Sequence, residues 1–166
     1  MIVPQRRIGE DTEIIKTRAP KTATYLKSHA DLLEGRASSI YRGKPPFSIF
    51  GVGEYSFAPW KVAIAGLYKK LEFKAVGPRA GKPTMLDDTC YFIPCQTEDE
   101  ALTLCEILNS DTAREFYSAF VFWDAKRPVT AGILNRLNIL ALARVLGLNS
   151  ELEKRIEYQR EMEIFT

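Results

Sequence analysis

The residue types that most often carry catalysis are scarce in this sequence. His29 is the single histidine, and the three cysteines (Cys90, Cys95 and Cys105) have no Cys-x-x-Cys spacing. A tetrahedral zinc site needs four nitrogen or sulfur ligands, and Ser-His-Asp or Cys-His chemistry needs a suitably placed histidine. These counts argue against zinc hydrolases and histidine-dependent nucleophilic enzymes, and they predict buried free thiols in a reducing compartment.

One carboxylate and one lysine have a spacing that could support metal-dependent phosphodiester hydrolysis. Glu72-Phe73-Lys74 lies on a predicted strand, and in such chemistry two carboxylates hold Mg²⁺ while a lysine orients the attacking water. The second carboxylate would be Asp31 or Glu54, because no aspartate lies between Asp31 and Asp87. Alternating charge on an exposed strand explains the triplet as well, so a nuclease is an alternative function.

Two short motifs are similar to signatures of methyl-transferring enzymes. Lys44-Pro45-Pro46-Phe47 resembles the Asn/Asp/Ser-Pro-Pro-aromatic signature of amino-methyltransferases, whose first side chain accepts hydrogen bonds from the target amine. A lysine only donates, so the acceptor is missing. Phe50-Gly51-Val52-Gly53 resembles the cofactor turn of S-adenosylmethionine enzymes, but a strand-like stretch with Pro59 follows it. We therefore expect no catalytic residues and no cofactor or metal site on this chain.

Positive charge is concentrated in one part of the chain. Of 166 residues, 23 are Lys or Arg and 21 are Asp or Glu, a formal net charge of +2. The segment from Arg36 to Lys82 holds nine of those bases and two acids, a net of +7, together with eight aromatic residues. Cations neutralise phosphates and aromatic rings stack on bases, so the segment favours a polyanion-binding face over a merely solvated one.

The length and the hydrophobic pattern predict one α+β domain over residues 1–166. Residues 1–20 are predicted to be an extended leading segment, and apolar spacings of three and four predict a helix over 21–34. Alternating apolar residues then predict strands near 47–50, 55–57, 61–67, 72–76 and 89–93. Residues 21–95 would therefore form a helix followed by a curved mixed β-sheet.

Residues 96–166 are predicted to be helical. Thr97-Glu98-Asp99-Glu100 is a capping box that starts a helix through Leu108, and Asp111 is placed to cap the next helix. Another helical stretch begins at Ala131, and a second capping box at 150–153 opens a charged helix to about residue 164. No apolar run reaches the ~20 residues of a membrane span, and the charged, non-apolar start predicts no signal peptide. We therefore expect a cytoplasmic protein without a membrane partner.

Five segments occur in an order that resembles part of a known group of DNA-modifying enzymes. They are 36–41 (RASSIY), 47–62 (FSIFGVGEYSFAPWKV), 82–91 (KPTMLDDTCY), 108–110 (LNS) and 124–130 (DAKRPVT). In order and spacing they resemble the carboxyl-terminal target-recognition region of bacterial restriction-modification N6-adenine DNA methyltransferases, the TaqI-like specificity domain group. The similarity covers roughly residues 22–140. It implies a region that reads DNA sequence, without the catalytic domain that binds S-adenosylmethionine and flips the adenine.

The resemblance and the residue chemistry together identify partners and candidate DNA contacts. The implied partners are double-stranded DNA and a methyltransferase catalytic domain or restriction subunit, and S-adenosylmethionine is expected on that partner. Lysines and arginines contact phosphates or guanine edges, and hydroxyl groups bond to phosphates or bases. The candidate contacts are Arg36, Ser38, Ser39, Tyr41, Lys44, Tyr55, Ser56, Lys61, Lys126 and Arg127.

Alternatives remain open for these residues and for the whole chain. Residues 36–39 fit a helix end whose serines satisfy local backbone groups, and Asp87-Asp88-Thr89 fits a turn cap or a partner of Lys126 or Arg127. The leading hypothesis is a sequence-specific DNA-recognition domain that performs no chemistry itself. The alternatives are a module that docks a methyltransferase or nuclease subunit through its acidic terminal helix, and the Mg²⁺-dependent nuclease.

Overall fold

The structure of the chain is a computed structural model that describes residues 2–148 and Leu152. The chain divides into two compact units, residues 1–57 (unit 1) and 58–166 (unit 2). The prediction of one domain over residues 1–166 stays a prediction. Apart from Leu152, the second predicted capping box and the charged helix after it lie outside the described residues.

Short helices form the first part of unit 1. A 3-10 turn at Thr12–Ile14 leads into α1 (Ile15–Arg18), α2 (Pro20–Ser28) and α3 (Ala30–Glu34). The predicted extended conformation of residues 1–20 is therefore wrong from residue 12 onward, because the Asp11 carboxylate caps the 3-10 turn at the Glu13 amide. The predicted helix over 21–34 exists as two helices, since the backbone leaves helical geometry at His29, where φ is −119°.

The second part of unit 1 consists of turns. The strands predicted at 47–50 and 55–57 are wrong: Phe47 has a φ of 64°, in the left-handed region, and Glu54–Phe57 is a 3-10 turn. Strands require negative φ, and the preceding Pro45 and Pro46 supply no amide hydrogens for pairing. In the three residues 55–57, the alternation of Tyr55 and Phe57 is too short a pattern to distinguish a strand from a turn.

A three-stranded antiparallel sheet with the order β2-β1-β3 lies in unit 2. Its strands are β1 (Trp60–Ala65), β2 (Lys74–Val76) and β3 (Cys90–Cys95). Val62 in the central strand pairs with Ala75 on one side and with Ile93 on the other. The sheet and the helices confirm the α+β class, and the sheet is antiparallel rather than mixed.

Four helices accompany this sheet in the described part of unit 2. They are α4 (Glu98–Leu108), α5 (Asp111–Ser118), α6 (Ala131–Leu134) and α7 (Ile139–Val145). The capping box at 97–100 holds, because Thr97 Oγ1 accepts from the Glu100 amide (3.2 Å). Ser110 rather than Asp111 caps α5, since its hydroxyl accepts from the Ala113 amide (3.2 Å). None of the helices in the described ranges is long and apolar enough to cross a membrane.

The core of unit 2 lies where α4 packs against the sheet, α5 and α7. The Tyr117 side chain of α5 is completely buried, and its hydroxyl donates to the Leu134 carbonyl (3.1 Å). The Asn109 carboxamide bonds to both the amide and the carbonyl of Phe73, at 2.9 Å each. This pair of bonds attaches the irregular β1–β2 connection to the end of α4. The buried α4 side chains are Glu100, Ala101, Leu104, Ile107 and Leu108.

Candidate nucleic-acid interface

Seven of the ten predicted DNA contacts lie in unit 1, and Arg36 and Tyr41 are in direct contact there. Arg36 Nε donates to the Leu33 carbonyl and Nη1 donates to the Ser48 carbonyl, both at 2.6 Å. The guanidinium carbon lies 3.7 Å from the centre of the Tyr41 ring, a cation–π contact. Arg36 therefore links the end of α3 to the loop around Ser48, and its first role is to position that loop.

Two further side chains hold the same loop, residues 45–49, which we call the held loop. Thr12 Oγ1 donates to the Pro46 carbonyl (2.5 Å). The buried Gln5 carboxamide accepts from the Ile49 amide (3.3 Å) and donates to its carbonyl (3.0 Å), as a neighbouring strand would. A bulky residue at positive φ, here Phe47, is unfavourable on its own, so these bonds keep the held loop in one conformation.

The chain before the held loop exposes polar and cationic side chains. Ser38, Ser39 and Lys44 are exposed, as DNA contacts must be, and so is Arg42, which the prediction omitted. Among the described residues, no acidic side chain forms an ion pair with Arg42 or Lys44. Residues 38–44 thus carry positive charge that unit 1 leaves uncompensated, a property that a polyanion contact requires.

Tyr55 and Ser56 lie in the 3-10 turn of unit 1. Ser56 is buried, and its hydroxyl accepts from the Gly53 amide (3.3 Å). The half-buried Tyr55 ring is so close to Gly53 that a Cβ there would lie 2.5 Å from Tyr55 Cε1. A side chain at residue 53 would therefore require the Tyr55 ring to shift. Ser56 closes a turn instead of presenting its hydroxyl, so we omit Ser56 from the proposed interface.

Lys61, a predicted phosphate contact, is buried inside unit 2. Only 1% of its surface is exposed, and its ammonium donates to the Ala58 carbonyl (2.7 Å) beside the Phe92 ring. Burial lowers the pKa of Lys61 because the charged form loses its hydration. In this position the ammonium cannot reach a phosphate, and the proposed interface omits Lys61 too.

Lys61→Met is expected to alter how the unfolding free energy depends on pH. The folded-state pKa of Lys61 lies below its ordinary value of 10.5, so between these two values the unfolded wild type binds more protons and the folded state gains stability as pH rises. The stability of Lys61→Met relative to wild type should therefore decline in urea unfolding as the pH rises from 7 toward 10.5. Lys69→Met, at an exposed lysine, is the matched control. A constant difference in stability between Lys61→Met and wild type over this pH range would contradict the prediction.

The remaining two predicted contacts, Lys126 and Arg127, differ in their surroundings. Lys126 is exposed, whereas Arg127 donates to the Asp88 carbonyl (3.2 Å) and lies 3.7 Å from the Asp88 carboxylate. Asp87 caps the following turn, and the hydrogen bonds from the Thr89 hydroxyl and amide lower the pKa of Asp87. Of this pair, Lys126 therefore has the more accessible cation for DNA.

Glu72, the carboxylate of the nuclease hypothesis, is engaged by neighbouring lysines. It forms ion pairs with Lys70 and Lys74, and their hydrogen bonds lower the pKa of Glu72 to about 2. Within the described ranges, no group of three or more His, Cys, Asp or Glu side chains is placed to hold a metal ion. The arrangement of Glu72 between two lysines fits alternating surface charge.

Sequence reasoning missed several exposed side chains with the chemistry of nucleic-acid or protein contacts. Phe122 is 79% exposed and Trp123 is 37% exposed, after the end of α5. Arg79 and Lys82 are exposed in the β2–β3 connection. Both cations belong to the basic segment identified from the sequence. The sequence did not show that they are paired directly across a tight turn, which sets them apart from the other cations of the segment.

The sequence comparison supports a relationship between this chain and restriction-modification methyltransferases. The chain is similar to the type II methyltransferase M.NspV from Nostoc sp., with 53% identity over 146 residues. The match covers 88% of this chain and 30% of the length of that protein. No protein-family profile matches the sequence, and no solved structure matches it.

Proposed function

We propose that this chain is the DNA-binding target-recognition (specificity) domain of a restriction-modification N6-adenine DNA methyltransferase, of the TaqI-like group. In this proposal it acts in the cytoplasm on double-stranded DNA and performs no chemistry itself. A catalytic methyltransferase domain or restriction subunit is its partner, and S-adenosylmethionine binds to that partner.

The observation that carries the proposal is the extent of the sequence match. An identity of 53% over nearly the whole chain is combined with coverage of only 30% of a type II methyltransferase. The chain therefore corresponds to a part of such a protein. The order of the five segments between residues 36 and 130 favours the target-recognition part.

The distribution of exposed cations supports a role in DNA binding. Each unit has exposed cations that form no ion pair with an acidic side chain in the described ranges. DNA phosphates can act as the anionic partners of these cations. The Arg36 link and the held loop give unit 1 a rigid support for the residues before it. Within the basic segment from Arg36 to Lys82, these exposed cations are Arg42 and Lys44 of unit 1 and Lys69, Arg79 and Lys82 of unit 2. Lys126 of unit 2, a predicted contact, is a further one.

A titration of labelled duplex DNA at several salt concentrations tests the proposal. Each phosphate contact releases counterions, so the slope of log affinity against log salt should be about −0.9 per contact. The double variant Arg42→Ala/Lys44→Ala is expected to make that slope shallower by roughly 2. The matched control is Lys21→Ala/Lys27→Ala, which removes the same charge from exposed positions of α2 and should leave the slope near that of wild type.

Two results would overturn this function. One is an affinity for duplex DNA that salt does not change, and the other is equal loss in the test and control variants. In either case phosphates would not be bound at the proposed positions.

A second candidate function is docking of a methyltransferase or nuclease subunit without DNA contact. The exposed rings of Phe120, Phe122 and Trp123 favour it, because aromatic side chains are enriched in protein interfaces. Binding to a methyltransferase catalytic subunit, lost in Phe122→Ala and accompanied by no affinity for duplex DNA, would support this candidate over the first.

A further inference from the structure

A tight hairpin projects from the chain between β2 and β3. The Arg79 amide donates to the Lys82 carbonyl (2.8 Å), and the Lys82 amide donates to the Arg79 carbonyl (3.0 Å). The two residues between them, Ala80 and Gly81, have φ values of 50° and 73°. Two central residues at positive φ define the narrow two-residue turn that matches the twist of paired strands. We call residues 77–84 the cationic hairpin.

The base of the cationic hairpin is held firmly. Thr84 Oγ1 donates to the Gly77 carbonyl across the hairpin (2.7 Å). The Trp60 ring lies against Gly77 so closely that a Cβ there would be 2.5 Å from Trp60 Cη2. Pro78 follows Gly77 and Pro83 precedes Thr84, so a proline ring fixes φ on each side of the hairpin. The tip is therefore presented in one orientation.

Two features of the tip are unfavourable for stability alone. Arg79 and Lys82 are directly paired across the hairpin, so two like charges face each other on one side, which is destabilising. Ala80 occupies a position of positive φ that glycine, asparagine or aspartate prefers. Among the described residues, no acidic side chain compensates Arg79 or Lys82 with an ion pair. Lys70 and Lys74, by contrast, share Glu72. An anionic ligand at the tip would offset the repulsion between Arg79 and Lys82.

We infer that the cationic hairpin enters the major groove of duplex DNA, where Arg79 reads a guanine and Lys82 contacts a phosphate. This inference rests on the proposed function. The major groove, about 12 Å wide, admits a two-stranded ribbon and distinguishes all four base pairs, whereas the minor groove, about 6 Å wide, presents a largely degenerate pattern. The planar guanidinium matches the O6 and N7 acceptors of guanine in a bidentate manner, and an ammonium acts as a point charge toward a phosphate. Ala80 adds only a methyl group to the tip, so the backbone can approach the bases closely.

Selection from a pool of duplexes with a randomised centre tests the inference, because the bound duplexes themselves reveal which sequence is recognised. Wild type should recover a motif that contains at least one fixed guanine. Arg79→Ala should recover the motif without one of those guanines, with about 10-fold or greater loss of discrimination at that position. Arg79→Lys should lose the same preference while it keeps the affinity for random duplex, because the charge remains and the bidentate geometry does not.

Three further variants separate base reading from charge and from folding. Lys82→Ala should recover the wild-type motif with weaker binding and a salt slope shallower by about 0.9. Lys27→Ala removes an exposed lysine of α2, outside the proposed interface, and should match wild type in motif and affinity. Ala80→Gly relieves the positive φ and should also keep the motif, and thermal unfolding checks that each variant is folded.

The outcomes distinguish this inference from the proposed function. Salt-sensitive binding with a motif that Arg79→Ala leaves intact would overturn the hairpin inference and leave the proposed function standing. Absence of salt-sensitive binding by wild type would overturn both.

Discussion

Tyr117→Ala is expected to lower the unfolding free energy of the chain by about 4 kcal/mol. The Tyr117 side chain is completely buried, its ring lies 6.0 Å from that of Phe73, and its hydroxyl donates to the Leu134 carbonyl. Truncation removes this packing and leaves a cavity that the sheet and helices cannot fully close. Urea unfolding followed by circular dichroism measures the effect, which is a large fraction of the stability of a typical domain.

Tyr117→Phe separates the ring from the hydroxyl. It should reduce the unfolding free energy by about 1 kcal/mol, since only one hydrogen bond is lost. Burial raises the pKa of Tyr117, so the folded state keeps a proton that the unfolded chain releases above the ordinary pKa of 10.0. Wild type should therefore lose more stability than Tyr117→Phe as pH rises past 10. Equal unfolding free energies for Tyr117→Ala and Tyr117→Phe would contradict this account of the core.

Arg36→Ala is expected to release the held loop of unit 1. The guanidinium donates to the Leu33 and Ser48 carbonyls, and hydrogen bonds of a charged group contribute about 1.5–3 kcal/mol each. A loss of about 3 kcal/mol should speed amide hydrogen exchange at Ser48 and Ile49 on the order of 100-fold. Exchange measured on peptides that cover residues 45–49 detects the change.

The controls for this prediction compare charge with geometry. Arg36→Lys keeps the charge, but one ammonium cannot donate to both carbonyls and stack on Tyr41, so exchange should remain fast. Arg42→Ala removes the same charge from an exposed position and should leave exchange slow. Slow exchange in Arg36→Ala, or fast exchange in Arg42→Ala, would show that Arg36 does not hold the loop.

The features that the sequence predicted correctly depend on neighbouring residues. The capping box begins α4 at the predicted residue because Thr97 and the Glu100 amide are three positions apart, whatever the rest of the chain does. Strands β1, β2 and β3 lie within predicted strands or within two residues of one, since β-branched and aromatic residues are concentrated there. The concentration of positive charge between Arg36 and Lys82 could also be identified from the sequence, because it requires only a count of residue types.

The features that the sequence did not predict depend on distant residues. The sequence pattern of the held loop predicts a strand. In the structure, side chains of Gln5, Thr12 and Arg36, which lie elsewhere in unit 1, bond to its backbone groups instead. Strand alternation predicts that every second residue is exposed to solvent, and on this basis Lys61 is predicted to be a surface cation. In the structure both faces of β1 are buried, and so is Lys61. Whether a cation is accessible or buried depends on such contacts between distant residues. The sequence could therefore suggest a group of candidate DNA contacts but not which members of the group are exposed.

The contact between Trp60 and Gly77 has a practical consequence. An indole changes its emission when its surroundings change, and this one supports the base of the cationic hairpin. The chain has one other tryptophan, Trp123, so Trp123→Phe would leave Trp60 as the sole long-wavelength fluorophore. In that single-tryptophan protein, a change in Trp60 emission would report a change at the base of the hairpin without an added dye.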